Sequence, residues 1–220
     1  MRIDKLTKFI GIFAVYFFSD LIPLLILGNN YFNLSITTKM KYMLLTNLLV
    51  TITLFFSYKD YLIEKLKDFK NNYKKYLKIA IKYWTIGLCI MYIGNLLLHT
   101  FSPSKEAINE NNVQGLIIAS PILAMILTTI FAPINEEIIF RKSIQDIFKN
   151  KYIFIIVSGL IFGGLHVTNS KTIYDFLYII PYGALGSAFA YIVAETDNVY
   201  SSIIMHLMHN GILTLLSILI

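Results

Sequence analysis

A hydrophobic segment over 113–132 runs into Pro133 and then into Asn135-Glu136-Glu137-Ile138-Ile139-Phe140-Arg141, which sets two adjacent carboxylates and a guanidinium among apolar neighbours. No other stretch constrains the fold as strongly. An ionisable side chain at membrane depth costs roughly 2.5–3.5 kcal/mol on insertion scales, so it persists only with a partner or beside a water-filled cavity. Glu137 and Arg141 are four apart, meet on one helical face and can pair. Glu136 has no local counter-charge, so its partner must come from elsewhere in the chain.

Further apolar runs lie at 9–27, 43–57, 83–98, 152–166, 173–194 and 200–220. With 56% hydrophobic residues, 15% charged residues and a mean hydropathy of +0.65, the chain is expected to be an integral membrane protein. The expected fold is all-α, a polytopic transmembrane helix bundle of about 7–8 membrane helices, read as one domain over 1–220 with its motif-bearing core at about 113–220. The run at 9–27 is too long for a secretory leader, carries Asp20 and Pro23, and reads as a retained first span whose Asp20 faces a neighbouring helix or a water-filled pocket. Between 59 and 82, eight lysines alternate with Leu62, Leu66, Phe69, Tyr73 and Tyr76 at helical spacing, which predicts an amphipathic basic helix lying along an anionic leaflet. Pro133 is expected to break the backbone, with a new helical piece over 134–148. Cys89 stands alone inside an apolar run and reads as packing; it allows no intrachain disulfide.

The net charge of +6 does not imply nucleic acid, because the basic residues lie between hydrophobic spans. Fifteen of the nineteen fall at the N-terminus, at 59–82 and at 141–151, and four fall in the alternate loops. By the positive-inside rule the N-terminus is expected to be cytoplasmic. The abundance of Lys, Ile and Asn reads as an AT-rich bacterial genome, which places the protein in a bacterial cell membrane.

Two further polar pairs interrupt apolar helices: Phe162 with His166, and His206 with Asn210, each four apart on one helical face. Glu136 lies 14 residues before the turn at Asn150 and His166 lies 16 after it, so antiparallel helices bring them to nearly one level. A glutamate beside a histidine in a poorly hydrated pocket can take a proton from water and return it in a later step. A second histidine and an amide can supply donors to an oxyanion, each worth roughly 2.7–4 kcal/mol in known cases. Gly163 and Gly164 would permit close helix contact or leave space for a substrate backbone. Attack by water is preferred to a covalent intermediate, since no serine or cysteine stands in a nucleophile setting. His209, three from His206, could substitute for it but is expected to play a supporting part.

In these motifs, Glu136-Glu137-x-x-x-Arg141, Phe162-x-x-x-His166 and His206-x-x-x-Asn210, the sequence resembles the CAAX protease and bacteriocin-processing (Abi) family, the type II CAAX prenyl endopeptidases, which are intramembrane glutamic proteases. The resemblance implies that Glu136 and His166 activate water, that His206 and Asn210 form the oxyanion site, and that Glu137 and Arg141 hold the helix. It implies a peptide or membrane-protein substrate, a lipid bilayer as surroundings and no cofactor. A two-histidine, one-carboxylate zinc site of Glu136, His166 and His206 is the rival mechanism. A non-catalytic immunity or regulatory membrane protein and a proton-coupled transporter are the rival functions.

Overall fold

The computed structural model describes residues 2–101 and 107–219. Among these it is all-helical, and the expected loop residues 102–106 lie outside them. Chain order gives α1 (Arg2–Ser19), α2 (Ile22–Leu27), a 3-10 turn over Gly28–Asn33, α3 (Ile36–Ser57), α4 (Lys59–Phe101) and α5 (Ile108–Ala119). Next comes one continuous rod over Pro121–Ile147, made of α6 (Pro121–Met125), α7 (Ala132–Glu137) and α8 (Ile144–Ile147) joined by π-helical stretches at Ile126–Phe131 and Ile138–Ser143. The chain closes with α9 (Lys151–His166), α10 (Ile173–Leu177), α11 (Ile179–Thr196) and α12 (Val199–Leu219).

Five of these rods are long and apolar enough to cross a bilayer, and the pair Asp4–Ser19 and Ile22–Asn33, bent by 52°, makes a sixth if it counts as one broken span. The expected count of 7–8 membrane helices therefore comes down to five or six among the described residues: the stretch at 113–132 is divided between α5 and the rod, and α9, with 16 residues, is only about 24 Å long and falls short of a full crossing. Large apolar side chains such as Leu25, Phe56, Ile118 and Ile122 cover the outside, as lipid contact requires.

Three further expectations change. The basic stretch at 59–82 and the span at 83–98 form one helix of 43 residues, not an in-plane helix followed by a span. No glycine or proline interrupts 59–86, and the basic half is tied to the bundle: Asn198, buried in the α11–α12 turn, donates to the Lys65 carbonyl at 2.8 Å and to Asp68 at 2.9 Å, while Lys65 pairs with Asp197 at 2.7 Å. Secondly, the backbone breaks at Ser120–Pro121, where Ser120 is extended, and not at Pro133. Proline inside a helix lacks its N–H and crowds the carbonyl four residues back. Here the π-helical turn before Pro133 opens the ladder and absorbs both problems, with the Ala132 N–H reaching back five residues to the Leu127 carbonyl. Thirdly, Cys89 is exposed on the outer surface and does not pack in the interior.

Asp20 does face a neighbour, accepting from the Thr46 hydroxyl of α3 at 3.1 Å. The centre of the bundle is α11, which packs on α9 and α4. Small residues set that approach: a Cβ on Gly163 would stand 2.7 Å from the Ile179 carbonyl oxygen and 2.8 Å from the Gly183 nitrogen, whereas one on Gly164 would meet nothing.

Basic residues gather at one end of the bundle. Lys8 bonds the Ser57 carbonyl and lies over the Tyr58 ring, Lys142 pairs with Asp146 at 2.8 Å, and Lys151 pairs with Glu195. The N-terminus, the α3–α4 junction, the end of α8, the start of α9 and the α11–α12 turn thus share one basic face.

Candidate active site

Glu136 and Glu137 are neighbours at the end of α7, where helical geometry sends their side chains about 100° apart. Their surroundings differ accordingly. Glu137 is fully buried and forms an ion pair with Arg141 at 3.0 Å, both side chains inaccessible. Arg141 donates to the Ser158 hydroxyl at 3.1 Å, and Ser158 in turn donates to the Phe140 carbonyl at 2.6 Å. The guanidinium also lies 4.8 Å from the centre of the Phe162 ring and 5.7 Å from that of Phe189, so cation–π contact helps compensate a buried cation whose Nη2 has no hydrogen-bond partner among the described residues.

Glu137 has a second task that the sequence did not reveal. Its Oε1 lies 2.9 Å from His206 Nδ1, which brings α12 to α7. A carboxylate held by arginine is an acceptor, so Nδ1 carries the hydrogen and Nε2 is the nitrogen left to act. That Nε2 faces Glu136 Oε2 at 3.9 Å, too long for a direct hydrogen bond. Phe189 stacks on the His206 ring at 4.7 Å, and Phe162 meets it edge-on at 5.8 Å. Glu136 thereby gains the distant partner its position requires, and that partner is His206.

His166, at the end of α9, is positioned differently. Its Nδ1 donates to the Phe162 carbonyl at 2.8 Å, fixing the tautomer and freeing Nε2. Its ring lies between Phe162, at 4.5 Å, and Tyr182, stacked at 4.4 Å. Phe162 is therefore a common floor for Arg141, His166 and His206. Among the described residues no hydrogen bond or ion pair joins Glu136 directly to His166. Asn210 donates to the Thr128 carbonyl at 2.9 Å. In the π-helical register that carbonyl would be addressed by the N–H of residue 133, which is proline, and the Asn210 amide stands in for it. His209 turns away from this group toward α4, its ring 6.4 Å from that of Trp84.

Accessibility divides the set. Glu137, Arg141, Phe162, His206 and His209 are closed off, whereas Glu136, with 14% of its side chain exposed, and His166, Asn210 and Gly164 keep part of their surface open. Glu136, His166 and Asn210 thus present open surface, and the buried His206 ring reaches this group through Nε2, turned toward Glu136. Among the described residues no group of three His, Cys, Asp or Glu side chains is arranged to hold a metal ion. A cavity of about 500 Å³ on the basic face, lined by Tyr61, Lys142, Phe148 and Lys151 among others, includes neither Glu136 nor the histidines.

Several contributors were not legible beforehand. Asn135 is fully buried, accepts from Thr51 at 2.8 Å and donates to Asn47 at 3.3 Å, stitching α3 to α7 beside the glutamates. Tyr16 of α1 meets the ring of Phe140 edge-on at 5.7 Å, on the rod that carries Glu136. Asn135 stands in the motif, but nothing local pointed to its partners on α3, and Tyr16 lies alone in an apolar run.

Residues 118–212, the stretch that contains all of these motif positions, match the family model described as type II CAAX prenyl endopeptidase Rce1-like. This segment is similar to that family. The match covers less than half of the 220 residues. A protein of Bacillus subtilis named "Putative membrane peptidase YdiL" is 30% identical over 128 residues, 57% of this chain and 49% of the relative. An uncharacterized protein of Mycoplasma capricolum is 33% identical over 128 residues, 52% of this chain and 37% of the relative. The UPF0177 protein YbdI of Lactococcus lactis is 26% identical over 114 residues, 48% of this chain and 63% of the relative. In each case the alignment spans less than two thirds of the relative's length. No solved structure matches the chain. The Rce1-like segment begins just before α6 and ends within α12, so α1 to α4 lie outside it.

Proposed function

We propose that the chain is an intramembrane endopeptidase that hydrolyses a peptide bond with water activated at Glu136. The observation carrying this reading is the pairing of a partly open Glu136 with His206, whose other nitrogen is clamped by the buried Glu137–Arg141 pair, inside an Rce1-like segment. A buried carboxylate orienting an imidazole is a recurrent way to fix the tautomer and to stabilise the imidazolium.

In the proposed reaction Glu136 takes a proton as water attacks the scissile carbonyl carbon, and the free Nε2 of His166 orients that water. The second amide hydrogen of Asn210, and His206 when its Nε2 is protonated, are the donors proposed for the tetrahedral oxyanion. The C–N bond then breaks as the proton passes from Glu136 to the leaving nitrogen. The chemistry needs no metal in this scheme. The substrate is a peptide or membrane-protein segment, with bacteriocin or signalling-peptide processing as the physiological class. The basic face is cytoplasmic by the positive-inside rule, in a bacterial cell membrane.

Purified protein in nanodiscs, incubated with a library of peptides and scored by mass spectrometry, tests the reading: wild type yields cleaved products and Glu136→Gln yields none. If the two give the same peptides while a biological phenotype survives in both, the chain is a non-catalytic immunity or regulatory protein instead.

A further inference from the structure

Tyr182 lies between the second and third motifs and belongs to neither, yet its ring is laid against His166. Glycines make that contact possible. α9 and α11 run antiparallel and meet so closely that a Cβ on Gly163 would stand 2.8 Å from the Gly183 nitrogen, and one on Gly186 would stand 2.8 Å from the Phe162 ring. His166 is three residues after Gly163, and Tyr182 is one before Gly183. The same close approach therefore stacks their rings, 4.4 Å apart and 27° from parallel. Phe162 brings a second ring to the imidazole at 4.5 Å. The backbone that carries Tyr182 is itself held: Pro181 is buried in van der Waals contact with Gly94 of α4, and Tyr178, one turn earlier, is buried with Ala107 and Val167.

We infer that Tyr182 is a positioning residue for His166: its ring holds the imidazole on the Phe162 carbonyl, which keeps the hydrogen on Nδ1 and leaves Nε2 bare to orient water. His206 has a buried carboxylate to fix its tautomer, whereas His166 has one backbone carbonyl, 2.8 Å from Nδ1. His166 is also the last residue of α9 and is partly exposed, so water competes for both ring nitrogens. Which nitrogen carries the hydrogen is set by the bond the other can make, and an imidazole free to turn in water prefers the hydrogen on Nε2. A flat ring pressed on the imidazole face opposes that turn without offering a competing charge. The contact uses the ring face of Tyr182, so phenylalanine should serve in its place. In its catalytic consequence this inference rests on the endopeptidase reading, whereas the tautomer of His166 does not.

Tyr182→Leu removes the flat ring and Tyr182→Phe keeps it; Tyr182→Met also removes it but retains more volume, and replaces the leucine variant if that one does not fold. Two measurements on the full chain in bilayers test the inference. The first is steady-state cleavage: without the ring kcat is expected to fall about three- to tenfold, the range one aromatic contact accounts for, with KM unchanged, while Tyr182→Phe matches wild type. The second needs no activity: nitrogen-15 NMR of the imidazoles, whose protonated and bare nitrogens resonate far apart. The chain has four histidines, and the His166 signals are those lost in His166→Gln. Wild type and Tyr182→Phe are expected to show His166 protonated at Nδ1 alone, and the variants without the ring to show a second population protonated at Nε2. A His166 that keeps the hydrogen wholly on Nδ1 without the ring overturns the inference whatever kcat does, and so does a Tyr182→Phe spectrum in which the Nε2–H form appears. A shifted tautomer with kcat at the wild-type value also overturns it, since His166 would then work unaimed. If wild type cleaves nothing, the endopeptidase reading fails, and the spectra alone decide whether Tyr182 holds His166.

Discussion

His206 is clamped at Nδ1 by Glu137, 2.9 Å away, which leaves its Nε2 facing the neighbouring carboxylate of Glu136 at 3.9 Å. Two consecutive glutamates thus flank one imidazole, Glu137 bonded to it and Glu136 only facing it, and of the two only Glu136 is open to its surroundings. This division gives the adjacent residues opposite mutational signatures.

Glu137→Gln is expected to destabilise the protein. It leaves the Arg141 cation, fully buried, without its counter-charge, and breaking a buried pair by removing one partner costs about 3–5 kcal/mol. Glu136→Gln removes no buried ion pair and should leave the unfolding temperature close to that of wild type. Thermal unfolding in detergent of the two variants side by side measures the contrast.

The glycines of α9 should behave in opposite ways. Gly163→Ala places a methyl group 2.7 Å from the Ile179 carbonyl oxygen and 2.8 Å from the Gly183 nitrogen, both backbone atoms that cannot step aside. Forcing α9 and α11 apart is expected to cost about 1–3 kcal/mol, as overpacking does. Gly164→Ala meets nothing within 4 Å and is expected to be neutral for stability. Chemical denaturation of both variants checks this.

The link between Pro133 and Asn210 can be measured as a coupling. Asn210→Ala removes the partner of the half-buried Thr128 carbonyl, at an expected cost of about 1 kcal/mol, the net value of one hydrogen bond. Pro133→Ala restores an N–H that can address that carbonyl. In the Pro133→Ala background the penalty of Asn210→Ala should therefore shrink by at least half, which a double-mutant cycle reads directly.

Metal removal supplies a separate check on the proposed chemistry. Dialysis against EDTA followed by assay with 1,10-phenanthroline present is expected to leave cleavage within twofold of the untreated enzyme. Loss of activity restored by stoichiometric zinc would assign the reaction to a metal site.

Much of this arrangement was legible in the sequence because charge in apolar surroundings is expensive and must be explained. Glu136, Glu137, Arg141, His166, His206 and Asn210 stood out for that reason, and the i, i+4 spacing gave the Glu137–Arg141 pair directly. What the spacing could not give was a contact between helices far apart in the chain. Pairing by depth brought His166 to Glu136, but depth says nothing about which face of a helix looks inward, and it is His206 that comes within 4 Å. Pro133 misled for a related reason: its local preference to break a helix is overridden by the π-helical turn before it and by Asn210 from α12. The basic stretch of α4 was read as surface-lying from its periodicity, whereas Asn198, remote in sequence, anchors it to the bundle. Asn135 was visible in the motif, but its partners Asn47 and Thr51 lie on a helix far away in the chain, which no local spacing could give.

The central claim, that Glu136 activates water for peptide hydrolysis, is tested most directly by comparing kcat of wild type and Glu136→Gln in nanodiscs on the same cleaved peptide. The account predicts a fall of at least about 10²-fold, the lower range for removing a general base, with the unfolding temperature unchanged. Cleavage by Glu136→Gln at the wild-type rate would contradict it.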